Sequence, residues 1–153
     1  MPDAFKVPNK IPKWMKPKFI LDNGWLEVGE KLYQYHIISR KFELGLKGFV
    51  GYPEGEFLFI SEDVPREYHP YILTHEVLET TILKGKAGRC AFATILELGD
   101  VPPGMLREYI KYRLDFLNRL LEFYKDRDDL ADLQIELLHS RNILQETKEA
   151  LDE

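Results

Sequence analysis

One short segment of the sequence contains residue types that can do chemistry: His75, Glu76 and Glu79, set among apolar residues. His75 and Glu79 are four positions apart, so on a helix they share one face and lie one turn apart. Glu76 directly follows His75 and precedes Glu79 by three positions, so the three side chains can converge. Imidazole and carboxylate groups are common ligands of divalent metal ions. The spacing therefore predicts a metal site on this segment.

The segment is also predicted to be a buried helix, over residues 70–83, with Gly85 able to end it. Two carboxylates in an apolar setting cost several kcal/mol unless a cation, a donor, a metal or a proton compensates them. A metal ion is one explanation. The other is an ordinary ion pair, in which Arg89 or a lysine neutralises Glu76 or Glu79. The apolar residues that leave little of the helix polar are Tyr71, Ile72, Leu73, Val77, Leu78, Ile82 and Leu83.

The next predicted helix, residues 89–98, offers two candidates for a third ligand, Cys90 and Glu97, which are seven residues apart on one face. Cys90 is the only cysteine, so an intramolecular disulfide is excluded. Its thiol is interpreted as a small core residue, a ligand or a reactive group. His69 can cap the site helix or line the mouth of the site, and His139 is expected to be solvated or interhelical. Neither histidine is predicted as a ligand.

His75-Glu76-Val77-Leu78-Glu79 resembles a variant of the H-E-x-x-H helix of zincin metallopeptidases, especially the small minigluzincin-like proteins. The resemblance covers about residues 44–98 and implies an edge strand before the helix and a carboxylate on the following helix. It also implies that His75 is the first metal ligand and that Glu76 is the general base, which accepts a proton from the attacking water. Glu79 stands where the second histidine would be. Glu97 is preferred as the third ligand, with Cys90 the alternative, because a gluzincin-type site uses Glu.

The missing second histidine changes the charge of the predicted site. Two histidines and one glutamate around Zn²⁺ leave a net charge of +1, because only the carboxylate is negative. His75 and Glu79 with either Glu97 or a Cys90 thiolate leave zero, and a neutral site polarises water less. Zn²⁺ is the expected ion, with Mn²⁺ or Fe²⁺ as alternatives for an oxygen-rich set. We therefore predict a metal-binding protein that is a metal-dependent hydrolase or peptidase with a degenerate active site.

The elements around the site predict an α+β fold in one domain, residues 1–153, with a β-hairpin or short antiparallel sheet packed against helices. A zincin-like core is expected over residues 25–99. Along the whole chain, the sequence predicts an extended basic arm over residues 1–20 and an amphipathic helix over 25–42. A hairpin around the turn 53–56, the two helices above and a C-terminal helical hairpin over 104–151 follow.

The last helix carries leucines on heptad a and d positions, although Ser140 and Thr147 occupy two of these positions. This pattern favours an intramolecular hairpin and leaves open a homodimer through the C-terminal helices. The alternative function is therefore a non-catalytic structural or interaction protein acting through this hairpin. The leucines are Leu130, Leu133, Leu137, Leu144 and Leu151.

Composition limits the remaining classes of function. The net charge of -5 argues against a general nucleic-acid binder, which needs a surplus of Lys and Arg. No apolar stretch approaches the roughly 18 residues of a membrane span, and the N-terminus lacks the apolar region of a signal peptide. The sequence predicts a cytoplasmic protein that does not bind membranes. The substrate class, peptide or small molecule, is not determined by the sequence. The scarcity of Asn and Gln is a bias that some heat-adapted proteins share.

Overall fold

The computed structural model describes residues 17–39, 52–54, 57–81, 83 and 88–153, which form four strands, four α-helices and three short 3₁₀ helices. The predicted α+β fold class, with a small sheet and C-terminal helices, is confirmed. In chain order the strands and helices are β1 (Ile20–Val28), β2 (Lys31–Ile38), β3 (Tyr52–Glu54), β4 (Phe57–Ser61), α1 (His69–Thr80), α2 (Arg89–Asp100), α3 (Leu106–Tyr124) and α4 (Ala131–Leu151).

The prediction of a helix over residues 25–42 is wrong, because β1 and β2 form an antiparallel hairpin in this part of the chain. Val28 pairs with Lys31, so the loop consists of Gly29 and Glu30 only. Gly29 has φ of 63°, a left-handed conformation that favours glycine and suits the first position of a two-residue hairpin loop. The apolar residues here recur at spacings that fit a helix as well as two strands, and this turn decides between them.

The sheet has the strand order β1-β2-β4-β3 and is mixed. The pair β2/β4 is parallel, with His36 opposite Phe59, whereas β3/β4 is antiparallel. The predicted hairpin around the turn 53–56 is therefore present where the structure describes it, as β3 and β4. The predicted strand residues Leu44–Val50, the turn residues Gly55 and Glu56, and the arm residues 1–16 lie outside the described residues.

The chain divides into two compact units, one ending at Val77 and the other beginning at Leu78. The prediction of a single domain stays a prediction. The first unit contains the sheet, and its buried apolar residues include Ile37, Ile38, Leu58, Phe59, Ile60 and Leu73. The second unit contains α2, α3 and α4, and its buried apolar residues include Ala93, Ile110, Leu114, Leu117, Leu120 and Leu144.

Within the second unit, α4 contacts both α2 and α3. The loop between α3 and α4 is short, and Arg107 at the start of α3 pairs with Asp152 just beyond the end of α4. The predicted helical hairpin is therefore present and antiparallel. Leu137, Ser140 and Leu144 of the heptad seam are buried. Among the described residues, no helix is long and apolar enough to cross a membrane.

Candidate metal centre

Helix α1 carries two of the candidate ligands. It begins at His69, with Pro70 in its first turn, where the missing N–H of proline removes no helical hydrogen bond. It ends after Thr80, and the N–H of Leu83 donates to the carbonyl of Leu78, a bond typical of a helix C-terminus. His75 is 5% exposed and Glu79 is half-buried. Because they are four positions apart on one continuous helix, their side chains lie one above the other.

The first turn of α1 is held by His69. Its Nε2 lies 3.0 Å from the carbonyl oxygen of Val64, which can only accept, so Nε2 carries the proton. Nδ1 then accepts from the hydroxyl of Tyr35 on β2, at 3.2 Å. Burial lowers the pKa of His69, which favours this neutral form. His69 therefore anchors the helix, six residues before His75.

The third ligand candidate that the structure brings to His75 and Glu79 is Cys90, at the start of α2. One ligand atom from each of these three residues lies within 4.8 Å of the other two. In a tetrahedral Zn²⁺ site with bonds of about 2.0 to 2.3 Å, ligand atoms lie roughly 3.3 to 3.8 Å apart. The three ligand atoms therefore need to approach one another by at most about 1.5 Å to reach that geometry. These three residues, the His-Glu-Cys cluster, can hold a metal ion.

The position of Cys90 depends on α4. The residue before α2, Gly88, has φ of 71° and provides no side-chain cap. Instead, the backbone N–H of Cys90 donates to Oε2 of Glu136 on α4, at 3.0 Å. The carbonyl of Cys90 accepts from the hydroxyl of Thr94, at 2.8 Å. Both backbone polar groups of Cys90 are therefore engaged.

Glu97, the preferred third ligand in the sequence, is not a member of the cluster. It is fully buried, and its carboxylate accepts from Nε of Arg113 at 2.8 Å and from the hydroxyl of Tyr109. Burial acts to lower the pKa of Arg113, but the charge of Glu97 beside it acts to raise it, and the pKa is raised overall. Burial, and then the charge of Glu97, also holds the pKa of Tyr109 well above its usual value. Glu97 is therefore a carboxylate with a guanidinium partner and a neutral phenol donor.

Glu76, the predicted general base, is half-buried and directly follows His75 on α1. It is not one of the residues in the cluster, and its catalytic role stays a prediction. His139 is exposed on α4 and is not in the cluster either. The cluster therefore contains three of the predicted site residues, with Cys90 in place of Glu97.

Sequence reasoning did not identify Arg113, Glu136 or the buried pair Thr94 and Ser140. Two of these positions carried a signal. Arg113 interrupts the apolar stripe of α3 one turn after Tyr109, where an apolar residue is expected. Ser140 interrupts the leucine seam of α4, and a buried hydroxyl needs a partner. Each polar residue in an apolar pattern marks a buried hydrogen bond or ion pair here.

Comparison with known proteins gave no match to this chain, whether against family models, curated proteins or solved structures. The comparisons therefore show no family for this chain, and the resemblance of residues 44–98 to zincins stays a prediction.

Proposed function

We propose that this chain binds a divalent transition metal ion, Zn²⁺ in preference to others, through His75, Glu79 and Cys90. The observation that carries the proposal is the approach of one nitrogen, one oxygen and one sulfur ligand atom to within 4.8 Å of one another. Three protein ligands leave a fourth tetrahedral position for water or substrate, which is the arrangement of catalytic rather than structural zinc sites.

The chemistry of the donors supports Zn²⁺ over the alternatives. Thiolate and imidazole ligands suit Zn²⁺, whereas Mg²⁺, Ca²⁺ and Mn²⁺ prefer oxygen. With Cys90 in place of Glu97, the set has one carboxylate instead of two, so the case for Mn²⁺ weakens. Neutral His75, ionised Glu79 and a Cys90 thiolate balance the +2 charge of the ion. A neutral site of this kind needs no further counter-ion.

We further propose a hydrolase or peptidase of zincin type with a degenerate site, in which Glu76 is the base. A metal ion bound here would polarise a substrate carbonyl and make water more acidic. Glu76 follows His75 on the same helix, so its carboxylate can take up the proton of a water molecule close to the cluster. The neutral charge of the cluster predicts slower catalysis than a site with two histidines and one glutamate provides.

Metal binding is tested on the full chain after removal of metal with a chelator and dialysis. We expect one Zn²⁺ per chain by elemental analysis, and a higher melting temperature on adding Zn²⁺. At 100 times Kd the stabilisation is about 2.7 kcal/mol. His75→Ala, Glu79→Gln and Cys90→Ala should each weaken binding at least tenfold, whereas the exposed His139→Ala should not. Substoichiometric metal and an unchanged melting temperature would leave the ion-pair explanation of Glu76 and Glu79 as the better one.

The catalytic role of Glu76 is tested separately, with the zinc-loaded chain and panels of fluorogenic peptide and ester substrates. Glu76→Gln should reduce any turnover on the order of 10² to 10⁴-fold and leave the Kd for Zn²⁺ unchanged. Equal turnover of the variant and the wild type would exclude Glu76 as the base.

A second candidate function is an interaction protein, including a homodimer, that acts through the C-terminal helices. Its support is the exposure of apolar side chains on α4, where Ile135 is 50% and Leu138 is 36% exposed. The leucine seam itself is buried at Leu137 and Leu144, so a partner would bind on the opposite face of the helix. Sedimentation of the wild type and of an Ile135→Glu/Leu138→Glu variant tests this. A monomeric wild type at high concentration with no co-purifying protein argues against it.

A further inference from the structure

Helix α4 holds the turn of α2 that carries Cys90, through two polar contacts. Glu136 accepts a hydrogen bond from the backbone N–H of Cys90, at 3.0 Å. One turn further along α2, the hydroxyl of Thr94 lies 2.6 Å from that of Ser140, and both residues are fully buried. Each contact joins residues 46 positions apart. The equal separation means that α2 and α4 run side by side in the same direction.

The hydroxyl of Thr94 links this contact back to Cys90. Thr94 has a single hydroxyl proton, which it donates to the carbonyl of Cys90. Ser140 must then be the donor in the Thr94–Ser140 pair. The backbone of Cys90 is therefore fixed to α4 directly at its N–H, through Glu136, and indirectly at its carbonyl.

We infer that Glu136 is a positioning residue for Cys90 in the metal centre, an inference that rests on the proposed function. The N–H of Cys90 is one of the first N–H groups of α2, which have no partner within the helix. Gly88 cannot cap them with a side chain, so the carboxylate of Glu136 satisfies this donor from a neighbouring helix.

This contact affects metal affinity because ligand geometry is demanding. Metal–ligand distances are held to within about 0.2 Å, and loss of an outer-shell partner typically weakens metal binding 10 to 100-fold. If the first turn of α2 loosens, Sγ of Cys90 no longer stays at the distance that His75 and Glu79 require. Glu136 donates nothing to the metal itself, and acts only through the backbone of Cys90.

Two substitutions separate the geometry of Glu136 from its charge. Glu136→Gln keeps an oxygen that accepts from the N–H of Cys90 but removes the negative charge. Glu136→Ala removes both. We expect Glu136→Ala to raise the Kd for Zn²⁺ about 10 to 100-fold, and Glu136→Gln to stay within about threefold of the wild type. Glu146→Ala, on an exposed position of the same helix, is the matched control and should change nothing.

The experiment is a competition titration of each full-length variant with Zn²⁺ against a chelating dye, together with the absorption spectrum of the Co²⁺-loaded protein. The sulfur-to-cobalt charge-transfer band reports the bond to Cys90, and we expect it to weaken in Glu136→Ala and persist in Glu136→Gln. Thermal unfolding without metal verifies that each variant is folded. If Glu136→Ala does not fold, Glu136→Asp, whose shorter side chain retreats from the N–H, replaces it with the same expected weakening.

The outcomes distinguish the two proposals. If the wild type binds no metal, the proposed function fails and this inference fails with it. If the wild type binds Zn²⁺ and Glu136→Ala has the same Kd and Co²⁺ spectrum, only the role of Glu136 is overturned. If Glu136→Gln is as impaired as Glu136→Ala, Glu136 acts through its charge, which also overturns the positioning role.

Discussion

The guanidinium of Arg113 and the carboxylate of Glu97 form an ion pair inside the helical unit, with Nε and Oε2 2.8 Å apart and side chains that are 6% and 0% exposed. Arg113 also reaches the second carboxylate oxygen, from Nη2 at 3.3 Å. The pair links α2 to α3 with two hydrogen bonds, and Tyr109 donates a further one to Glu97. A carboxylate that has these partners is a structural group of the helical unit.

Arg113→Met should lower the free energy of unfolding by about 3 to 5 kcal/mol, because it removes the guanidinium that pairs with the buried carboxylate of Glu97. Urea unfolding in the presence of a chelator measures this without a contribution from metal. Lys111→Met, at an exposed position of the same helix, should change stability by no more than about 0.5 kcal/mol.

The double variant Glu97→Leu/Arg113→Met sharpens the prediction. It removes both charges and should recover most of the loss, since a buried ion pair replaced by apolar residues is often neutral or stabilising. A small effect of Arg113→Met alone would show that Glu97 has another partner able to neutralise it. A double variant as unstable as Arg113→Met would attribute the loss to packing.

The hydroxyls of Thr94 and Ser140 should be energetically coupled, because each is buried and each is the other's partner across α2 and α4. Thr94→Val should cost about 1 to 3 kcal/mol, because it leaves the buried hydroxyl of Ser140 without its acceptor. Ser140→Ala should cost about 0.5 to 1.5 kcal/mol, because it removes one hydrogen bond while the hydroxyl of Thr94 still donates to the carbonyl of Cys90. The double variant should cost less than their sum, with a coupling energy of about 0.5 to 3 kcal/mol from urea unfolding.

Thr147→Val is the control for this cycle, because the hydroxyl of Thr147 donates to Ile143 within α4. Combined with Ser140→Ala, its effect should be additive. An additive Thr94/Ser140 cycle would show that water or a backbone carbonyl replaces the missing partner, and that the contact does not join the two helices energetically.

The helices were predictable from the sequence, and the first hairpin was not. Each of α1 to α4 extends for 12 to 21 residues, long enough for the 3.6-residue pattern to stand out. In β1 and β2 the positions Leu26, Tyr33 and Ile37 fit one helical stripe nearly as well as two strands. The residue that decides between one helix and two strands is Gly29, whose left-handed conformation makes the turn. A hydrophobic periodicity measured over 18 residues does not detect a single turn residue.

The candidate site was predictable where one helix determines it. His75 and Glu79 are neighbours because of their spacing alone. The choice between Cys90 and Glu97 depends on Arg113, which is 16 residues beyond Glu97 and on another helix. Both candidates share a face of α2, so periodicity cannot separate them. Only the three-dimensional structure, in which Arg113 of α3 reaches Glu97 of α2, shows which of them has a guanidinium partner.

His36 should make stability depend on pH. It is 3% exposed on β2, packs against Phe59, and its Nδ1 has no hydrogen-bond partner among the described residues. Burial lowers its pKa in the folded chain. The unfolded chain takes up a proton near pH 6.5, so the contribution is present above about pH 6.5 and is lost as the pH falls towards the lower folded pKa.

His36→Leu should flatten this dependence by up to about 1.4 kcal/mol per pH unit below pH 6.5. Urea unfolding between pH 5 and pH 8, with a chelator present, gives the slope. Some dependence of the same sign should remain, because burial also lowers the pKa of His69. The exposed His139→Gln is the control. An unchanged slope in His36→Leu would mean that the folded chain protonates His36 as readily as the unfolded chain does.

Gly24→Ala should destabilise the first unit, because the ring of Tyr35 lies directly over Gly24 and a Cβ would overlap it. The ring must move, and with it the hydroxyl that donates to His69 at the start of α1. We expect a loss of about 1 to 3 kcal/mol by urea unfolding, as for overpacking of a filled site.

In a Tyr35→Ala background the same Gly24→Ala substitution should cost little. Gly99→Ala, at a helical position with nothing near its Cβ, should be neutral or stabilising by up to about 1 kcal/mol. Equal losses for Gly24→Ala with and without the Tyr35 ring would assign the cost to the backbone of β1 and disconnect it from His69.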